Sequence, residues 1–199
     1  MKAVVIIKKR IVKSAVEWSH EFIAQILEEG SCVIDATAGN GRDTLYLAEL
    51  VGKTGKVYAF DIQKEAILKT EKLLEEAGLE KQVSLFHQNH EKMAEEVKDN
   101  VDAVLFNLGY LPGGDHKIMT NAVTTINALQ ASVRLLKKEG LLVLVIYWGH
   151  PGGREEKEAV EEWAKALSPK EWDVMKISFP NCQMAPYVMI MQKKFGEAL

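Results

Sequence analysis

Short apolar runs alternate with longer amphipathic segments along this chain, the pattern expected of a parallel sheet covered by helices. The spacing of Ala15, Trp18, Phe22 and Ile26 predicts a helix over residues 14–28, stopped by Gly30. Buried strands are expected at 31–36, at 56–60 ending on Asp61, at 83–86 and at 101–106. Helices are expected at 42–50, at 64–77 with Gly78 as its stop, and at 118–137 before Gly140. Residues 141–148 are apolar throughout, as a strand covered on both faces should be. After a helix near 155–167 come two strand-like runs, 172–179 and 187–192, joined by only seven residues, 180–186. Seven residues suit a hairpin but not a crossover, so the sheet is expected to finish with an antiparallel strand. The fold class that follows is α/β.

Composition narrows the picture. The 199 residues are 47% hydrophobic and 27% charged, with 14 Gly and 5 Pro, which excludes a disordered or collagen-like chain. No linker-like stretch divides the sequence, so residues 1–199 are expected to form one domain, with 1–30 a basic arm and first helix. The longest apolar run is eight residues (141–148), against roughly 18 to 20 needed to span a bilayer, and the first seven residues are too short for a signal segment. A cytoplasmic protein without a membrane partner is expected. Cys32 and Cys182 lie far apart with no CxxC, which fits two thiols rather than a disulfide framework or a zinc site. The net charge of −3 hides an asymmetry, because residues 1–13 carry Lys2, Lys8, Lys9, Arg10 and Lys13 and no acid. Such an arm on an acidic body is either a phosphate contact or a solubilising terminus.

The segment from Asp35 to Thr44, DATAGNGRDT, follows the first strand and opens the next helix. Gly39 and Gly41 stand where the backbone must turn sharply and approach a ligand without a Cβ in the way. Twenty residues beyond Gly41, Asp61 ends the second strand, where a carboxylate can accept both hydroxyls of a ribose. An acid before the glycines suits a ligand with a cationic amino-acid end, and Thr44 in place of a third glycine removes the close packing tied to pyrophosphate. Both features favour S-adenosylmethionine over a dinucleotide, with Asp35, Thr37, Gly39, Asn40, Gly41, Asp43, Thr44, Asp61, Ile62 and Gln63 as the candidate contacts. His87 and His90 have HxxH spacing but no third ligand nearby, so no metal is expected.

A doubly wound, mostly parallel sheet with a terminal hairpin is the architecture of class I S-adenosylmethionine-dependent methyltransferases, and the chain resembles that family. The resemblance implies a Rossmann-like seven-stranded sheet with a C-terminal antiparallel β-hairpin. It also places the adenine at the end of the third strand, where Asn89 can both donate and accept. His90 beside it has two readings, a ring stacked on the base or a cap of the next helix. After the fourth strand, Asn107-Leu108-Gly109-Tyr110 resembles the Asn/Asp-Pro-Pro-aromatic motif of amino-group methyltransferases, with both prolines replaced. In that motif the Asn side-chain oxygen holds the target nitrogen and the aromatic ring stacks on the base. Ligands of open α/β sheets bind outside the carboxyl ends of the strands, which puts this loop at the acceptor.

A second glycine-rich turn, YWGHPGG from Tyr147 to Gly153, ends the fifth strand on the same rim. Together with DATAGNGRDT, NLGYLPGGDH and the NCQMAP turn it resembles, over nearly the whole chain, one bacterial family of rRNA methylases now associated with the tRNA wobble-uridine methyltransferase. The implied acceptor is the amine of a 5-aminomethyl uridine in the tRNA anticodon loop, methylated to the 5-methylaminomethyl-2-thiouridine form. S-adenosylmethionine would be converted to S-adenosylhomocysteine. Asn107 and Tyr110 would align the amine, and Asn107 is also a candidate cofactor contact. Asp115 and His116 are the candidates to take its proton, with no basis in the sequence for choosing between them. Tyr147, His150, Asn181, Gln183 and Pro186 are candidate substrate contacts, with Lys8, Lys9 and Arg10 on flanking phosphates. A small-molecule amine methyltransferase, an rRNA methyltransferase and a non-catalytic RNA-binding module are the alternatives. The first helix could pair two subunits or belong to the core.

Overall fold

The computed structural model describes residues 11–111, 113 and 118–194. Seven strands form one sheet in the order β3-β2-β1-β4-β5-β7-β6. They are β1 (Cys32–Asp35), β2 (Lys56–Asp61), β3 (Val83–His87), β4 (Val101–Leu108), β5 (Leu136–Ile146), β6 (Trp172–Ile177) and β7 (Tyr187–Lys193). β1 to β5 are mutually parallel, and β7 inserts antiparallel between β5 and β6. The terminal hairpin and the doubly wound mixed sheet are therefore as expected. The strand order reverses between β1 and β4, which makes their carboxyl ends the switch point where such sheets bind ligands.

Period-two alternation divides the central strands between two cores. On β4 and β5, Val104, Phe106, Leu142 and Leu144 face the helices α4 (Met93–Glu96), α5 (Ala122–Leu135) and α6 (Gly153–Lys165). Ala103, Leu105, Leu141 and Val143 face α1 (Ala15–Ile23), α2 (Arg42–Val51) and α3 (Lys64–Ala77). The apolar side of α1 belongs to this second core: Ala15 and Ile23 are buried, and Trp18, Phe22 and Ile26 pack against the same cluster. α1 starts on a capping box in which the Ser14 hydroxyl accepts from the Glu17 N–H and the Glu17 carboxylate accepts from the Ser14 N–H.

Three boundaries differ from expectation for identifiable reasons. α1 ends at Ile23 rather than near 28, and turns carry the chain to Gly30. α5 begins at Ala122 and not at 118, because the Asn121 side chain caps it by accepting from the Thr124 N–H. The residues before it pair backwards instead, Met119 with Tyr110 and the Thr120 N–H with the Gly109 carbonyl. β5 begins at Leu136, five residues early, through a bulge in which Glu139 takes a φ of 64°.

Gly41 caps α2 with φ at 80°, and a Cβ there would lie 2.9 Å from the Cα of Thr70 on α3. Both the left-handed backbone and the close helix approach exclude a side chain. Gly41→Ala is expected to lower stability by about 2 to 4 kcal/mol, seen as a lower urea midpoint at unchanged m-value. An unchanged midpoint would show that α3 yields freely.

Candidate active site

The carboxyl ends of β1, β2 and β4 open into a cavity of about 560 Å³, within the range of small-molecule sites. Thr37, Gly39 and Asn40 line it after β1, Asp61, Ile62 and Gln63 after β2, Asn89 and His90 after β3, and Asn107 and Tyr110 at and after β4. Two hydrogen bonds hold the turn after β1 in place. The Gly39 N–H donates to Asp61 Oδ2 at 2.8 Å, and the Asn107 N–H donates to Thr37 Oγ1 at 2.7 Å. Asp61 Oδ1 accepts from the Gln63 N–H at 2.8 Å, and burial pushes its carboxyl above the ordinary range although these donors pull the other way. With about four lone-pair sites, the Asp61 carboxylate keeps room for a further donor.

Three candidates sit behind the cavity wall rather than on it. Asp35 has no exposed surface: its Oδ1 accepts from the Thr37 N–H at 3.1 Å and its Oδ2 from the Thr44 hydroxyl at 2.6 Å. Burial, with the Asp43 charge second, raises its pKa to about 7. Thr44 is equally buried, and Gly41 serves the α2–α3 contact. None of these three expected cofactor contacts lines the cavity; in the structure they shape the turn. Asp43 is the acid of this segment that faces the cavity.

Asp43 sits at the centre of a chain of polar groups. Its Oδ1 lies 2.7 Å from His20 Nε2 on α1, whose ring stacks on Tyr46 at 4.1 Å, and its Oδ2 accepts from Asn107 Nδ2. Because a carboxylate only accepts, this contact sets the Asn107 amide with nitrogen toward Asp43 and oxygen away from it. That oxygen is buried and has no hydrogen-bond donor among the described residues. A buried acceptor left so is costly unless something entering the site donates to it.

Of the two readings of His90, the helix cap is corrected. The cap belongs to Asn89, whose Oδ1 accepts from the Glu91 N–H at 3.0 Å, while the His90 ring is buried edge-on against Phe106. His90 Nδ1 lies 3.3 Å from the Ala36 carbonyl, so it carries the proton, and burial lowers the pKa to about 4. Nε2 is then a bare acceptor with no partner among the described residues.

Beyond the ends of β4 and β5, Tyr110 and Tyr147 are 44% and 39% exposed, and Tyr110 meets the His150 ring edge-on at 6.1 Å. Burial, then the Asp43 charge, raises the Tyr147 phenol pKa. His150 lies outside the cavity lining, both ring nitrogens within 3.0 Å of the Tyr147 and Pro151 carbonyls. Asn181, Gln183 and Pro186 stand in the β6–β7 turn, which docks on this rim through Trp148 Nε1 donating to the Ala185 carbonyl at 3.1 Å. Gln183 lines a separate depression there and not the cavity. Lys8, Lys9, Arg10, Asp115 and His116 lie outside the described residues. Among those described, no group of three His, Cys, Asp or Glu could hold a metal ion, and no helix is long and apolar enough to cross a membrane.

Not foreseen from the sequence are Val16 on α1 and Ile118 to Asn121, which line the cavity, and His20, which meets Asp43 from α1. Glu156 on α6 pins the 118–121 segment: its fully buried carboxylate accepts from the Thr120 and Thr125 hydroxyls at 2.8 and 2.6 Å. A polar residue on the inner face of α6 was the one available signal.

A 3-2-1-4-5-7-6 sheet with a deep cleft at its switch point, an acid ending β2 and an Asn at the end of β4 defines a class I methyltransferase. The family model described as "Putative rRNA methylase" matches residues 57–193, and the chain belongs to that family. It is 46% identical, over 92% of its length and 70% of the relative's, to the chloroplastic tRNA (mnm(5)s(2)U34)-methyltransferase of Arabidopsis thaliana. Among solved structures it is similar to a "putative rRNA-methylase" from Clostridium thermocellum, at 42% identity with a TM-score of 0.90, covering 92% of this chain and all of that one. A "putative methyltransferase" from Streptococcus mutans in complex with SAH is 36% identical, with a TM-score of 0.85 over 92% of this chain and 99% of that one.

Proposed function

We propose that this chain methylates the primary amine of a 5-aminomethyl uridine at the wobble position of the tRNA anticodon loop, with S-adenosylmethionine as methyl donor. The observation that carries this reading is the buried Asn107 oxygen, without a donor among the described residues, beside two exposed tyrosines: an acceptor for amine hydrogens next to rings on which a base can stack. The Arabidopsis relative, named for this modification, supports it.

The residues fit the donor. Asp61 keeps room for a donating ribose hydroxyl, and His90 Nε2 and the free amide hydrogens of Asn89 offer an acceptor and donors for a base edge. When bound, S-adenosylmethionine supplies an electrophilic methyl carbon on a sulfonium. The chain's own part is alignment: Asp43 fixes the Asn107 amide, and its oxygen accepts an N–H of the amine so that the nitrogen lone pair points away from that bond. An alkylammonium has no lone pair, so the amine must be neutral, and this partly desolvated pocket disfavours its charged form. Asp115 and His116 remain the candidates to receive the proton.

The test is transfer of labelled methyl to tRNA lacking the final wobble methylation, followed by nucleoside mass spectrometry. A new methyl group on the 5-aminomethyl nucleoside is expected, and none on fully modified tRNA. Transfer to free alkylamines but to no tRNA would replace this reading with a small-molecule one.

A further inference from the structure

Beside the acceptor end lies a second depression, of about 420 Å³, walled by the start of α6 and the β6–β7 hairpin. Its charged lining is basic: Arg154 and Lys157 from α6 and Lys176 from β6. Residues 154, 157 and 161 fall on one face of α6 by helical spacing, whereas Glu155, Glu158 and Glu162 lie around its side and do not line the depression. The Lys157 and Lys176 ammoniums share a single counter-charge, Glu161 Oε1, at 3.4 and 2.7 Å. Arg154 makes no ion pair with a described residue, so the concave wall carries a surplus of positive charge on a chain whose net charge is −3.

Aromatic rings interleave with these cations. The Lys157 ammonium lies 5.7 Å from the centre of the Trp148 ring, and that of Lys176 lies 4.3 Å from the Tyr187 ring. Trp148 follows Tyr147 directly, and Tyr147 lines the main cavity, so the depression begins one residue from the acceptor. A positively charged concavity with ring walls is the arrangement that tracks a single-stranded nucleic-acid backbone.

We infer that this depression holds the RNA strand next to the nucleotide being methylated, with Arg154, Lys157 and Lys176 gripping its phosphates and Trp148 offering a stacking surface. The inference rests on the RNA reading above. It extends the RNA contact from the single base in the cavity to its flanking phosphodiesters, using cations that two elements, α6 and β6, bring together.

The test compares full-length wild type with Arg154→Gln, Lys157→Gln and the double variant on tRNA lacking the wobble methyl group, across a series of salt concentrations. KM for tRNA is expected to rise about tenfold in the double variant, and the slope of log KM against log salt to flatten by about one per cation removed. S-adenosylmethionine affinity by calorimetry should match wild type, which would show that the variants fold. Lys72→Gln on α3, equal in charge change but on an exposed site away from the depression, should leave KM and slope unaltered. If wild type methylates tRNA and the double variant keeps the wild-type KM and slope, or if Lys72→Gln produces the same change, the depression is not an RNA site. If wild type neither binds nor methylates tRNA, the RNA reading itself falls and takes this inference with it.

Discussion

Asn107→Ala lowers the rate of methyl transfer by about 10²-fold while leaving S-adenosylmethionine affinity within about twofold of wild type; this is the expected result of single-turnover kinetics set beside calorimetry. Asn107 sits at the end of β4, its backbone N–H tied to Thr37 and its side-chain nitrogen to Asp43, which leaves its oxygen as the acceptor offered to a second ligand. Losing that oxygen removes the alignment of the amine, whereas Asp61, Asn89 and His90, the proposed ribose and base contacts, come from the end of β2 and the turn after β3. Asp43 and His20 are positioning residues in this scheme. Asp43→Asn lets the residue-43 amide offer donors to Asn107 and frees the Asn107 amide to turn over, so it should lose part of the same rate. His20→Ala, one step further back, should lose less. Equal losses of rate and cofactor affinity in Asn107→Ala would overturn the division of roles.

The second large effect is a pH dependence of stability at Asp35. Its native pKa of about 7, raised by burial, lies above the unfolded value of 3.8, so the folded chain holds this proton more tightly. Stability from that proton is fully present below pH 4 and is lost as pH rises through 7, on the order of 4 kcal/mol. Asn cannot ionise, but it can accept from the Thr37 N–H and donate to the Thr44 hydroxyl. Asp35→Asn should therefore gain on wild type by about that amount between pH 4 and 8 in urea titrations. His90 acts in the opposite sense, because burial lowers its native pKa to about 4 from 6.5. It contributes stability above pH 6.5 that is lost as pH falls through 4, on the order of 3 kcal/mol. The two offset each other in wild type, so the difference between variant and wild type is the quantity to follow. A flat difference across this range would show that Asp35 is not buried as a neutral acid.

Most of the site's lining could be read from the sequence, because it is made of strand ends. A turn of DATAGNGRDT type, an acid closing β2 and NLGY after β4 each announce a loop at the carboxyl edge of a parallel sheet, and the sheet itself brings those edges together. The roles of individual acids could not be read in the same way. Asp35 and Asp43 stand eight positions apart in one motif, and either could meet a cationic ligand. The register of β1 turns Asp35 toward Thr44 of α2, whereas the first turn of α2 points Asp43 at Asn107, 64 residues away. His20 and Val16 were invisible for a related reason: amphipathic spacing shows that α1 packs, but not that Val16 lines the cavity or that His20 meets Asp43.

By itself the sequence determined the class of fold, since period-two runs alternating with helical periods admit a doubly wound sheet, and the short 180–186 connection admits only a hairpin. It also determined where along the chain the ligand-facing loops fall. Tertiary structure alone decided which side chains those loops expose, how residues 118–121 fold back over the cavity, and that Arg154, Lys157 and Lys176 share one wall. The physical reason is range. Periodicity and turn chemistry act over a few residues, while burial and hydrogen-bond pairing are settled between elements whose separation in sequence carries no information about their distance in space.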